Sequence, residues 1–159
     1  MAGCLEIIAL LVISTPTVPP PAGYCIDCHS KREEQRLRIP TSSLAVSVHA
    51  ALEEGCVACH GGDVREPTAR AHDPKLGFRG KPGPKDVPRV CGGCHSDAAY
   101  MRRFSATLSI DQLALYRHSQ HGILLEKGRT DVATCISCHG AHDVARVSSP
   151  NASVHATRV

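Results

Sequence analysis

The chain of 159 residues contains no tryptophan, and only two phenylalanines, three tyrosines and two methionines. Aromatic side chains usually carry much of the area that a domain buries. A complement this small excludes an ordinary aromatic-filled core. No convincing strand pattern occurs either, and the chain reads as mainly coil with short α-helices and little or no β-sheet. Basic residues are scattered in pairs such as Lys31-Arg32 and Arg102-Arg103, without interleaved aromatics. That distribution gives no support to nucleic-acid binding. The length allows one domain or two very small ones.

Cysteine and histidine are abundant instead, with nine and ten residues. Eight of the cysteines fall into four copies of one pentapeptide, Cys-x-x-Cys-His: Cys25, Cys28 and His29; Cys56, Cys59 and His60; Cys91, Cys94 and His95; Cys135, Cys138 and His139. Two thiols at this spacing can add to the two vinyl groups of one haem, and the adjacent histidine is then held against the porphyrin face to ligate iron. A zinc site built from four cysteines also uses Cys-x-x-Cys pairs, but neither zinc nor a disulfide framework requires a histidine after every second cysteine. With ten histidines in 159 residues, one such coincidence has a chance of roughly 6%, and four on the order of one in 10⁵. The motifs therefore predict four covalently attached haem c groups, each carrying iron. Four flat apolar cofactors would replace the missing aromatic core, and such a chain should not fold without them. The formal charge of +3 is then misleading. Each haem brings two propionates, which takes the oxidised holo-protein to about −1.

Taken in order, residues 1–22 read as a leader and linker. Residues 1–18 are apolar but too short to cross a bilayer comfortably. They fit the apolar region of a signal peptide, although Glu6 interrupts the run and no Lys or Arg precedes it. Cys4 is read as incidental. Covalent haem attachment in bacteria requires export, so the expected location is periplasmic or extracellular, with membrane association through the N-terminus compatible with the leader. Residues 16–21 are a Pro-rich extended linker.

Residues 23–145 form the expected tetrahaem domain. A charged helix is predicted over 30–38. Thr41-Ser42-Ser43 offers caps for a helix over 44–54 that carries His49, with Gly55 as its stop. Residues 61–88 read as a Gly/Pro-rich loop holding His72. Ser96 can cap a short helix through Phe104. Ser109 and Gln112 form a capping-box pattern that opens a helix running to Gly128. That helix would present His118 and His121 on neighbouring positions of one face. Residues 146–159 read as a C-terminal tail.

An internal repeat bears on the iron ligands. Ser47-Val48-His49-Ala50 followed by Glu54-Gly55 and the second motif aligns with Ser119-Gln120-His121-Gly122 followed by Lys127-Gly128 and the fourth motif. Each iron needs a sixth ligand unless it is catalytic. With methionine present only at Met1 and Met101, histidine must do most of this work. The candidates for the distal positions are His49, His72, His121 and His142. His49 and His121 are equivalent in the repeat. His142 is too close to His139 to serve the same iron and would reach a neighbouring haem. His118, without a repeat counterpart, reads better as a propionate contact. His155 is either uncommitted or directed at a haem in another chain.

The series Cys91-Gly92-Gly93-Cys94-His95-Ser96-Asp97, Tyr100-Met101-Arg102, Asp111-Gln112-Leu113, Tyr116, Ser119-x-His121-Gly122 and Cys135-x-x-Cys138-His139-Gly140-x-His142-Asp143 resembles bacterial multihaem c-type cytochromes from about Gly23 to the C-terminus. The resemblance implies haem-ligand roles for His121 and His142. Family members often continue past the position of Val159 into further Cys-x-x-Cys-His sites, so the resemblance allows for more haems in the natural assembly than this sequence encodes.

Two functions follow as expectations. The first is an electron relay of closely packed bis-histidine haems. It would work between redox protein partners: a quinol-oxidising membrane donor, and a terminal reductase or another multihaem cytochrome. A homo-oligomer is compatible with this reading. The alternative is a reductase of nitrite, hydroxylamine or a related small nitrogen compound, or its electron-donating subunit. That needs one haem with an open face, and the first motif has the least obvious partner. No catalytic residue is assigned in either case, and the relay reading takes precedence.

Overall fold

The computed structural model describes residues 23–158. The leader and the linker, with Cys4, lie outside the described residues. Among the described residues, eight short α-helices are joined by 3-10 turns and coil: α1 Gly23–His29, α2 Thr41–Val46, α3 Val57–His60, α4 Val87–His95, α5 Ala98–Met101, α6 Gln112–His118, α7 Gln120–Glu126 and α8 Cys135–His139. Among the described residues there is no strand, in keeping with the sequence reading. No described helix is long and apolar enough to cross a membrane.

Each motif occupies the end of a helix: α1, α3, α4 and α8 all terminate at the motif histidine. One helical turn brings the two cysteines of a motif to the same side and leaves the histidine in the final turn. After the second and fourth motifs the backbone leaves the helix in the same way. Gly61 (φ 68°, ψ −163°) and Gly140 (φ 78°, ψ 179°) both occupy a region that glycine enters without steric cost.

The predicted long helices are broken at the serines of the repeat. Residues 44–54 are not one helix: α2 stops at Val46, Ser47 is extended (φ −77°, ψ 128°), and Val48–Ala51 is a 3-10 turn carrying His49. The helix expected to run to Gly128 divides at Ser119 (φ −73°, ψ 160°) into α6 and α7, so His118 and His121 share no helical face. In both places a serine hydroxyl accepts from a backbone amide ahead of it, His49 N–H at 3.3 Å and Gly122 N–H at 3.2 Å. This local bond competes with helix continuation. Asp97, rather than Ser96, caps α5, accepting from the amides of Ala99 and Tyr100. Residues 30–38 are turns. The segment has no apolar stripe to bury as a helix, and it folds back so that the Ile39 amide donates to the His29 carbonyl at 3.1 Å. The loop over 61–88 contains two 3-10 turns, Ala69–His72 and Pro74–Leu76.

The protein core is small. Among the described residues its buried apolar side chains are Val87, Met101, Leu125 and Ala152, and no large side chain is fully buried. Meanwhile Val46, Val48, Leu115, Ile136 and Val147 are exposed. The densest packing surrounds α4, which contacts α5, α6 and α8. Gly92 is at the α4–α6 crossing, where a β-carbon would lie 2.5 Å from Leu113 Cδ2. Residues 146–158 are irregular but not loose: Ala152 is buried and the Ser153 hydroxyl donates to the Cys138 carbonyl.

Candidate functional site

The four motif histidines can be followed outward from their rings. His29 Nδ1 lies 2.7 Å from the Leu37 carbonyl, and His60 Nδ1 lies 2.9 Å from the Gly80 carbonyl. A carbonyl only accepts, so Nδ1 carries the proton in each ring and Nε2 presents its lone pair. This is how metal-ligating imidazoles are commonly oriented from the second sphere. His72 is held likewise, with Nδ1 3.1 Å from the Ala69 carbonyl and the Phe78 ring edge-on at 4.7 Å.

Three motif histidines each face a second histidine from elsewhere in the chain. The ring centroids are 5.8 Å apart for His29 and His72, 6.1 Å for His95 and His49, and 6.0 Å for His60 and His142. Two metal–imidazole bonds of about 2 Å, plus roughly 1 Å from each nitrogen to its ring centre, give a centroid separation of about 6 Å across one iron. Edge-to-face ring contacts fall in a similar range. What distinguishes these pairs is their composition, since each joins one motif histidine to one non-motif histidine. For His29, His60 and His72 the hydrogen bonds also leave Nε2 as the lone-pair nitrogen. The first motif, which has no obvious partner in the sequence, thus faces His72.

The surroundings favour neutral imidazoles. Burial, then the charge of His95, lowers the pKa of His49; burial, then the charge of His139, lowers that of His95. Desolvation and the charge of His60 lower that of His142, against an opposing pull from Asp143. A ligating histidine must be deprotonated at the bonding nitrogen.

The cysteines approach one another between motifs. Cys25 and Cys56 lie within hydrogen-bonding reach, and the bond lowers the Cys25 pKa to about 6 while raising that of Cys56. Cys91 and Cys135 form a second such pair, with Cys135 lowered to about 7 by its bond from Cys91. Cys59 is near enough to Cys94 for its pKa to be raised by that neighbour as well as by burial. All eight motif cysteines are free thiols. Among the described residues no three His, Cys, Asp or Glu side chains converge as a metal-holding cluster, which a four-cysteine zinc site would require. The residues therefore fit haem: a thiol pair and a histidine at each motif, and a second imidazole at haem-spanning distance in three cases.

Backbone contacts join neighbouring sites. The Arg79 amide donates to the His60 carbonyl at 2.8 Å, so the loop that carries His72 also supports His60. The close approach is backbone to backbone: a β-carbon at Gly61 would lie 2.0 Å from the Gly77 carbonyl oxygen. The Val48 amide donates to the Val144 carbonyl at 2.8 Å, beside His49 and His142. Helices α4 and α8, bearing the third and fourth motifs, pack together.

Of the remaining histidines, His121 is exposed in the first turn of α7 and is not brought opposite any motif histidine. His118 donates through Nδ1 to the Ala114 carbonyl at 2.8 Å, and His155 Nδ1 lies 2.8 Å from the Thr157 hydroxyl. The supporting groups that the sequence did not reveal are the carbonyls of Leu37 and Gly80 and the ring of Phe78. Backbone acceptors leave no signature in a sequence.

A family model described as a doubled CXXCH motif matches residues 49–100, which span the second and third motifs together with His49 and His72. The match supports a multihaem c-type cytochrome family, and its motifs imply covalently bound haem c with iron. No curated protein and no solved structure matches the chain.

Proposed function

We propose that the chain holds four haem c groups, one at each Cys-x-x-Cys-His motif, and serves as an exported electron relay. The observation that carries this reading is the set of three cross-chain imidazole pairs at 5.8, 6.1 and 6.0 Å. Bound haem supplies reversible one-electron iron chemistry, with ligation and burial setting the potential.

The chain's own part is to attach, orient and space. Cys25 and Cys28, Cys56 and Cys59, Cys91 and Cys94, and Cys135 and Cys138 supply the thioether sulfurs. His29, His60, His95 and His139 are the proximal ligands, with His72, His142 and His49 as distal ligands to the first, second and third sites. Leu37 and Gly80 carbonyls fix the His29 and His60 rings through Nδ1. The contacts between successive motifs, through residues 69–80, the Val48–Val144 bond and the α4–α8 packing, support a contiguous series in sequence order. A contiguous series suits a relay, because it fixes the spacing between sites on one rigid scaffold.

The partners are redox proteins: a quinol-oxidising membrane donor on one side and a terminal reductase or another multihaem cytochrome on the other. The location is periplasmic or extracellular, since haem attachment follows export in bacteria. Full-length protein made in a haem-attaching host tests the reading through its intact mass and a reductive titration. Four haems and four electrons per chain are expected; fewer of either would overturn it.

A further inference from the structure

The three imidazole pairs are held differently. At the first site both rings donate through Nδ1 to backbone carbonyls, His29 to Leu37 at 2.7 Å and His72 to Ala69 at 3.1 Å. At the second site His60 donates to the Gly80 carbonyl at 2.9 Å. The third pair, His95 and His49, makes no such bond among the described residues, and both of its rings are half-buried. In the first and second pairs one ring, His72 or His142, is exposed.

Both differences act on the iron in the same direction. An imidazole that donates through Nδ1 to a carbonyl is a stronger electron donor at Nε2. It favours ferric over ferrous iron and so lowers the reduction potential. Water at a ligand ring stabilises the extra positive charge of the oxidised site, whereas a drier ring favours the reduced one. The first site combines two carbonyl bonds with an exposed ring, the second combines one with an exposed ring, and the third has half-buried rings. The backbone links the sites in that order. Residues 69–80 carry both His72 and the acceptor of His60, and the Val48–Val144 bond lies beside His49 and His142.

We infer that the three paired sites form a gradient of reduction potential, lowest at the first motif, intermediate at the second and highest at the third. Electrons then enter at the first site, whose exposed His72 side is open to a low-potential donor protein, and run through the second to the third. This direction deepens the relay reading and rests on its haem ligation.

Replacing each non-motif histidine with methionine labels its site, because a thioether ligand raises the potential of the iron it serves. In potentiometric titrations of full-length four-haem protein, His72→Met, His142→Met and His49→Met should each move one reduction step upward. Of the three steps so marked, that of His72 should lie lowest in the wild-type titration, that of His142 next and that of His49 highest. Any other order overturns the gradient while leaving the ligation standing. A haem deficit in the wild-type mass, or a substitution that moves no step, is instead a failure of the haem reading, and the gradient falls with it. Should a variant lose its haem, the step missing from its titration marks the same site. Should it not fold, the wild-type ring protons of His72, His142 and His49, assigned by nuclear magnetic resonance and followed through stepwise oxidation, give the order without substitution.

Discussion

The Val48 amide donates to the Val144 carbonyl at 2.8 Å, tying together two segments that are almost a hundred residues apart. His49 follows Val48 and faces His95; His142 precedes Val144 by two residues and faces His60. One backbone bond thus holds His49 and His142 in register. Val48→Pro isolates its contribution. Proline suits the first position of a helical turn, and the preceding Ser47 already has the extended geometry that proline demands. The substitution then removes little beyond the donor. It should cost about 0.5–1.5 kcal/mol in thermal or denaturant unfolding of the holo-protein, with the haem count unchanged. Stability equal to wild type would show that the bond is dispensable.

On the proposed ligation His49 and His142 would serve different irons, so their losses should add. His49→Ala and His142→Ala are each expected to raise the high-spin share by one haem in four, and the double variant by two. Sites without a shared ligand behave independently to first order. Electron paramagnetic resonance of the ferric protein reads this directly. A single variant that opens two haems, or none, would break the pairing.

At the α4–α6 crossing the cost of a substitution depends on its neighbour. A β-carbon at Gly92 would sit 2.5 Å from Leu113 Cδ2 and 3.1 Å from Leu113 Cβ. Overpacking of this kind costs about 1–3 kcal/mol, while alanine gains about 1 kcal/mol over glycine in a helix interior. Gly92→Ala should therefore destabilise wild type modestly. In a Leu113→Ala background the 2.5 Å contact with Cδ2 is gone and only the 3.1 Å contact with Cβ remains, so the same change should cost less than in wild type. Melting temperatures of the four proteins in the cycle decide it; an unchanged effect in both backgrounds would mean the helices separate to accommodate the methyl group.

How much of this was legible in the sequence depends on the range of the interaction involved. Cys-x-x-Cys-His is a local chemical signature, and all four copies end helices as one turn of backbone requires. The scarcity of aromatics anticipated a core of only four buried apolar side chains among the described residues. The serine repeat is visible in the sequence, but its effect is not: capping turns at Ser47 and Ser119 end one helix and begin another, where the outer cap residues and the glycines at 55 and 128 point to a single long one. Partners such as His29 and His72 could not be read from spacing, because they meet only after the loop over 61–80 folds onto α3. The register between His49 and His95 needed the structure for the same reason.

The described core is Val87, Met101, Leu125 and Ala152, with no large side chain fully buried. Ordering each residue costs roughly 1–2 kcal/mol of backbone entropy, which four buried apolar side chains do not offset. The exposed apolar side chains of Val46, Val48, Leu115, Ile136 and Val147 would make the balance worse in water. Porphyrin contact and iron ligation must supply the rest, as metal binding does for small domains that are unfolded without their metal. Chain expressed without haem-attachment machinery and kept reduced should therefore lack cooperative unfolding, show low helix content by circular dichroism, and be cut rapidly by protease. Haem-loaded protein should show a single sigmoidal transition under the same conditions. A cooperative transition in the haem-free chain would mean that the polypeptide carries a sufficient core of its own, and would remove the argument that the cofactors complete the fold.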